Sequence, residues 1–459
     1  MEHKLYRILF FVFGTTIIFS CENDDINKNS ESEIIIMSEL KEAIEMYSPN
    51  KFQNGYTLIA PLTSKNTYLI DMEGYIVNKW TSEYTPNNSV YLLEDGSLLR
   101  TEKTGNNPVF SGDRGHGGRI AKYSFEGQLT WAWNYSSDQF CQHHDIEVMP
   151  NGNILVIAWE IKTDQEALEI GKNPEYINPK GVWPEHIIEI EPTRASSAKI
   201  VWEWHQWDHI IQDFDEEKDN FGNVTSHPEL IDINFSQSID MDITHFNSID
   251  YIEEHDLIVL SAHHYSELWF IDHSTTTAES ATHEGGKRGK GGDLVYRWGN
   301  PLAHKNGLPS EQLSFLQHDA VWLNGLPSNG GNLMFFNNGD ATIDRAYSTV
   351  DEIMLPIDEN GNFKLAANAT NGPISVEWRF QQDDFFSNVI SGAQRLKNGN
   401  TLICEGMKGM LHEVTTDKET VWKYNLPLPK KTIFRAYRYP KDYPAFSGKL
   451  INRLEIDME

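Results

Sequence analysis

Cysteine is nearly absent, with three in 459 residues. A disulfide framework is therefore excluded as the basis of the fold, which must rest on a core of its own. Cys141 and Cys404 fall at non-matching positions of the repeat described below, and no bond between them is implied. Positive charge is also scarce: 38 Lys and Arg stand against 67 Asp and Glu, a net charge of −29. Such a chain repels polyanions, which argues against nucleic acid as a partner. The apolar run at residues 8–19 is well short of the ~20 residues a membrane-spanning helix needs.

What that run does fit is a secretory signal. Lys4 and Arg7 precede ILFFVFGTTIIF, and Ser20-Cys21 follows. A Cys directly after such a segment resembles a bacterial lipobox, so residues 1–20 read as a lipoprotein signal peptide and Cys21 as the lipidated residue. Residues 21–51, opening ENDDINKNSESE, have the composition of a polar tether. The expectation is an exported protein held on the outer membrane by lipid, facing the periplasm or the exterior.

From residue 52 to 459 the chain reads as one all-β domain. Between residues 54 and 426 one pattern recurs six times: an apolar strand, an Asn-Gly or Asp-Gly turn, a second and a third strand, then a strand ending in tryptophan. VYLLEDGSLLRTEK, HHDIEVMPNGNILVIAWE and GAQRLKNGNTLICEG show the hairpin most clearly. Six such units predict a six-bladed β-propeller of four-stranded antiparallel blades. Trp80, Trp131, Trp204, Trp298, Trp378 and Trp422 fall in the closing strands and are expected to pack.

In a propeller, the start of each innermost strand and the end of the second lie on one rim. Aligning the turns puts Asn88, His144, Asn247, His318 and Ser391 in one slot, with His143 and His245 just before it. The second strands end with Arg100, Trp159-Glu160, His263-His264, Asn337-Asn338 and Glu405, and Arg345 and Lys408 follow. Each histidine alone could cap backbone, but capping does not explain their accumulation at one rim. Histidines without a fixed HxH or HxxxH spacing, and with an arginine among them, favour an anion over a metal ion. No metal site and no cofactor is read from the sequence.

HFNSIDY, LIVLSAHH, QHDAVWL and the closing GAQRLKNGNTLICEG with LHEVTTDKETVWKY resemble the bacterial aryl-sulfate sulfotransferase family over residues 52–426. The resemblance implies transfer of a sulfuryl group from an aryl sulfate donor to a phenolic or hydroxyl acceptor, without a nucleotide donor. It assigns catalysis to His245, His318 and Arg345 and a substrate contact to His263 or His264, while the rim alignment adds His144 to the catalytic candidates and His143, Asn247 and Ser391 to the substrate contacts. Arg345 would hold sulfuryl oxygens and, by its charge, keep a neighbouring histidine neutral. One departure stands out: the family carries the sulfuryl group on a histidine where this chain has Ser391, which puts a covalent intermediate in doubt. A surface propeller that only binds sulfated glycans or aromatics, and a metal-dependent lyase or hydrolase, are the other readings. GGKRGKGGD at 285–293 lacks phosphate-loop spacing, and DHIIQDFDEEKDN at 208–220 lacks that of an EF-hand.

Overall fold

The computed structural model describes residues 41–459 apart from 112–114, 324–330 and 365–374, so the segment read as a signal peptide and Cys21 lie outside the described residues. Six antiparallel sheets form the blades of a β-propeller. The hairpins follow from their turns: Gly96, Gly152 and Gly399 close the first hairpins of blades two, three and six at φ of +87°, +87° and +89°, where a side chain would be strained.

Blade one departs from the sequence pattern in an informative way. Its own segment supplies Gly55–Ile59, Asn66–Ile70 and Ile76–Thr81, and the fourth strand, Tyr437–Pro440, comes from the far end of the chain and pairs with Gly55–Leu58. The carboxyl-terminal region thus closes the ring from the inside. A second closure lies outside: Ile44–Tyr47, within the stretch expected to be tether, is a fifth strand of blade six against Thr420–Asn425. The propeller therefore begins before residue 52.

The tryptophans do more than pack. Trp80 donates its indole N–H to Ser124 O, Trp131 to Ser197 O, Trp204 to Gly292 O, Trp378 to Thr416 O and Trp422 to Met72 O, all at 2.7–3.1 Å. Each of these bonds joins one blade to the next, so the repeat carries its own inter-blade latch. Buried ion pairs add to it, including Arg438 with Glu413 at 2.8 Å across the ring closure, both fully buried. Arg100, expected at the rim, belongs here as well: it pairs with Glu102 and donates to Thr67 Oγ1 and Tyr84 O, joining blades one and two.

His273 latches blades three and four. Its Nε2 lies 3.0 Å from Glu189 and its Nδ1 2.9 Å from Asp256, so both nitrogens face carboxylates. Burial favours the neutral ring, but the bonds to Asp256 and Glu189 outweigh it and push the pKa up to about 9. A raised folded-state pKa stabilises fully below the unfolded value near ~6.5 and is lost as pH rises through the folded value. Thermal unfolding followed from pH 6.5 to 9 is therefore expected to lose roughly 1–3 kcal/mol. His273→Gln should remove about half of that slope, leaving the part due to His205, which is also raised to about 9.

Candidate functional site

The rim site begins with bulges. In blades two to five the innermost strand carries extra residues against the second, between Pro86 and Val90, Gln142 and Ile146, Phe246 and Ile249, and His318 and Val321. A bulge re-aims side chains that a regular strand would alternate across its faces. Beside these bulges His144 and His245 take left-handed backbones, at φ of 45° and 59°, as does Asp319 at 57°; Ser391, before the unbulged first strand of blade six, takes one at 86°. Such conformations cost about 1 kcal/mol or more each and persist where the surroundings enforce them.

The result is a contiguous cluster. Ring centroids lie 5.1 Å apart for His143 and His144, 4.5 Å for His144 and His245, 5.2 Å for His245 and His263, 5.0 Å for His245 and His264, and 5.2 Å for His263 and His318. The six histidines expected at the rim are thus brought together. Trp159 stacks on His143 at 3.8 Å, and Phe434 lies 6.2 Å from both His144 and His318.

Two of them end acid-backed relays. Glu185 Oε2 sits 2.7 Å from His143 Nε2, and His143 Nδ1 sits 2.8 Å from His144 Nδ1, leaving His144 Nε2 unbonded among the described residues. With Glu185 ionised, that outer nitrogen presents a lone pair; with the proton on Glu185, each bond reverses and it presents N–H. Protons shifted along the chain therefore switch His144 between acceptor and donor. Burial and the charge of Asp242 push the Glu185 carboxyl up, against the N–H groups of Phe246 and His245. The second relay is His245 Nδ1 with Asp242 Oδ2 at 2.5 Å, again with Nε2 unbonded. Burial alone would raise Asp242, but the charge of His245 and its hydrogen bond hold it at about 2.

Burial, reinforced by neighbouring histidines, drives His143, His144 and His263 well below the ordinary imidazole range. His318 is pushed down to about 3 by burial, with the charges of His245 and Arg435 adding to it. The guanidinium that helps keep a histidine neutral is thus Arg435, not Arg345 as the sequence suggested. His318 is fully engaged: Nδ1 bonds Asn338 at 2.8 Å and Nε2 accepts the Ile390 N–H at 3.1 Å. His263 is the opposite case, with neither ring nitrogen hydrogen-bonded.

Arg345 stands on the same rim, in the loop after Asn338, but outside the ring cluster. Its guanidinium lies between Phe315 and Tyr347, 4.4 and 4.6 Å from their centroids, and donates to Tyr347 O. Among the described residues it is the buried arginine without a carboxylate in salt-bridge range; Arg100, Arg297, Arg395, Arg435 and Arg438 all have one. Asn247 spends its amide N–H on Gln317 O and keeps Oδ1 free. Ser391 is fully buried, donating to Ser387 Oγ and accepting from the Gly406 N–H. Glu405 is tied to His412 and Lys408, and Arg288 of the glycine-rich loop to Asp272.

Beside the cluster lies a cavity of about 690 Å³, walled by Val109, Ile161, Trp183, Ile239 and Met241, with Lys180 and Asp240 at its polar side. Trp183 is common ground, packing 5.4 Å from Trp159. Met241 directly precedes Asp242, the partner of His245. Glu185, Asp242 and Arg435 are the residues the sequence reading missed. Arg435 had a findable signal: FRAYRY continues the HDIEV and HDAVW pattern once the first copy is seen to lack a strand.

A search of curated proteins finds no match. Among solved structures the chain is similar to a protein of unknown function from Bacteroides caccae, at 13% identity over 84% of this chain and 98% of that one, TM-score 0.45. A functionally unknown protein from Desulfotomaculum acetoxidans matches at 9% identity over 84% and 99%, TM-score 0.42. Virginiamycin B lyase from Staphylococcus aureus matches at 9% identity over 84% and 89%, TM-score 0.37. A family model for arylsulfotransferase (ASST) matches residues 41–437, nearly all of the ring, and the chain belongs to that family.

Proposed function

We propose that this protein moves a sulfuryl group from an aryl sulfate ester to a phenolic or other hydroxyl acceptor at the histidine rim, with no nucleotide donor. The observation that carries the reading is the pair of acid-backed histidines, His144 and His245, whose unbonded Nε2 atoms belong to rings 4.5 Å apart.

Sulfuryl transfer passes through a loose transition state with charge on the peripheral oxygens and the leaving phenolate. From the form with Glu185 ionised, His144 Nε2 attacks sulfur as the S–O bond to the aryl group breaks, the His144 Nδ1 proton moves along the relay toward Glu185, and His245 gives a proton to the departing phenolate. In the second half the acceptor hydroxyl loses its proton to His245 and attacks sulfur, and the S–N bond breaks. Arg345, lacking a carboxylate partner, is suited to hold the sulfuryl oxygens. His263, with both nitrogens unbonded, faces the same rings. Ser391 is a poor nucleophile because its hydroxyl is committed inside blade six, and His318 has neither nitrogen to spare. This moves the nucleophile to His144, in blade three, three blades from the family position and so on the opposite side of the ring.

Incubation with 4-nitrophenyl sulfate should release nitrophenol mainly when a phenol acceptor is present. His144→Asn and His245→Asn, chosen because Asn tolerates the left-handed backbone, should each lower turnover on the order of 100-fold or more. Intact mass after donor alone should show one sulfuryl adduct, absent in His144→Asn. Full activity in both variants would sink the assignment, and no release across a broad donor panel would leave a sulfate-binding propeller. Because burial holds His144 well below the usual imidazole range, adduct formation from donor alone should not fall between pH 7 and 5, where a solvent-exposed imidazole nucleophile would already be lost to protonation.

We further infer lipid anchoring at Cys21, which suits a nucleotide-independent donor outside the cytoplasm. Cys21→Ser should abolish incorporation of labelled fatty acid and release the protein from membranes.

A further inference from the structure

A second histidine group lies outside the rim cluster, where blade four meets the insertion that follows blade three. His209 ends the turn Gln206–His209, while His283 and Asp293 lie on the long connection between the blade-four strands Glu267–Asp272 and Leu294–Trp298. His209 Nδ1 and His283 Nδ1 each stand 2.8 Å from the same atom, Asp293 Oδ1. Their ligand atoms are within 4.8 Å of one another, the one such triad among the described residues.

The hydrogen bonding of His209 makes this more than a crowded surface. Its Nε2 lies 2.9 Å from Ser280 O. A carbonyl can only accept, so Nε2 carries the hydrogen and a neutral His209 turns its Nδ1 lone pair toward a carboxylate oxygen. Two lone pairs at 2.8 Å require a positive charge between them, either a proton or a metal ion. An outer N–H held by a backbone carbonyl is the usual way a metal-binding imidazole is fixed in tautomer and orientation.

The scaffold is rigid. Trp204 stacks on His209 at 5.5 Å with 7° between ring planes, and its indole N–H bonds Gly292 O. Gly292 has no room for a side chain, since a Cβ would come within 2.6 Å of His209 Nε2 and 2.0 Å of Ser280 O. His209 and Asp293 are buried, whereas the His283 side chain is 60% exposed and borders a cavity of about 510 Å³. One ligand is therefore within reach of solvent, and coordination positions remain open on that side.

We propose that His209 Nδ1, His283 Nδ1 and Asp293 Oδ1 bind one divalent transition-metal ion, with zinc the best match. Two imidazoles and one carboxylate are a borderline donor set that suits Zn²⁺ or Co²⁺ and disfavours the all-oxygen ions Ca²⁺ and Mg²⁺. The ion fastens the blade-four connection to the insertion after blade three, a structural role separate from the rim chemistry.

The test titrates the purified full chain, without a histidine tag, with Co²⁺ alone and follows visible d–d absorption. The expected result is one equivalent bound, displaced by Zn²⁺, with a higher melting temperature in Zn²⁺. His283→Ala, an exposed position that leaves the fold intact, should weaken binding about 10- to 100-fold, as should Asp293→Asn. His144→Asn and His245→Asn should leave the cobalt bands unchanged, placing the ion away from the rim, and His283→Ala should retain sulfuryl transfer. Absence of stoichiometric Co²⁺ or Zn²⁺ binding, or binding that survives His283→Ala, overturns the proposal and leaves a proton as the bridging charge. Should Asp293→Asn fail to fold, the His283→Ala titration alone decides.

Discussion

The rim rests on one buried cation. Arg435 reaches Asp145 of blade three at 2.5 Å and Asp319 of blade five at 2.8 Å, and donates to Tyr91 of blade two, while its own segment runs into the strand that completes blade one. All three charged side chains are 3% exposed or less. A buried ion pair contributes little net stability, but removing one member leaves the others charged and unpaired at a cost of about 3–5 kcal/mol. Four blades are thereby held in one register about the axis. Asp145 and Asp319 directly follow His144 and His318, so the same pairs fix the histidines. Gly392 shows how closely this centre is packed, because a Cβ there would come within 2.1 Å of Asp319 Oδ2.

That arrangement decides the electrostatics of the site. Arg435 faces two carboxylates, so the charge nearest the axis is compensated. Positive potential for an anion must come instead from Arg345 and from imidazole N–H groups. Neutral histidines bind a resting sulfate weakly but can give or take protons as charge develops on a leaving oxygen, which is what transfer needs and simple binding does not. A protein carrying −29 overall can therefore host an anionic group locally without a standing patch of positive charge.

Much of this was legible in the sequence, and the rest failed for physical reasons. Turn glycines and closing tryptophans are local signals, so six blades and the rim slots of His144, His245 and His318 could be read directly. The strand that completes blade one lies over 350 residues away from its partners, and no local pattern announces it. Arg435 was lost with it, and Arg345 received the role of neutralising neighbour that burial and Arg435 perform. Glu185 and Asp242 sit at the start of a third strand and in an insertion, outside the slots that the alignment compares. Bulges at the innermost strands bring those acids against the histidines, and a bulge is set by tertiary packing rather than by composition.

The serine in blade six is best understood from its neighbours. A histidine at residue 391 would have to replace a fully buried hydroxyl that links Ser387 to the Gly406 N–H. Its preceding residue, Ile390, already gives its N–H to His318 Nε2, so the blade-five histidine is tied back against blade six. Nucleophilic character requires a nitrogen lone pair free to approach sulfur, and this corner of the ring offers none. The blade-three corner does: His144 is backed by His143 and Glu185, its φ of 45° is enforced by a bulge, and Gly115 passes so close that a Cβ there would lie 2.5 Å from Nε2. On the function proposed above, the strained, relay-backed histidine across the axis, and not residue 391, is therefore the group whose geometry suits covalent transfer.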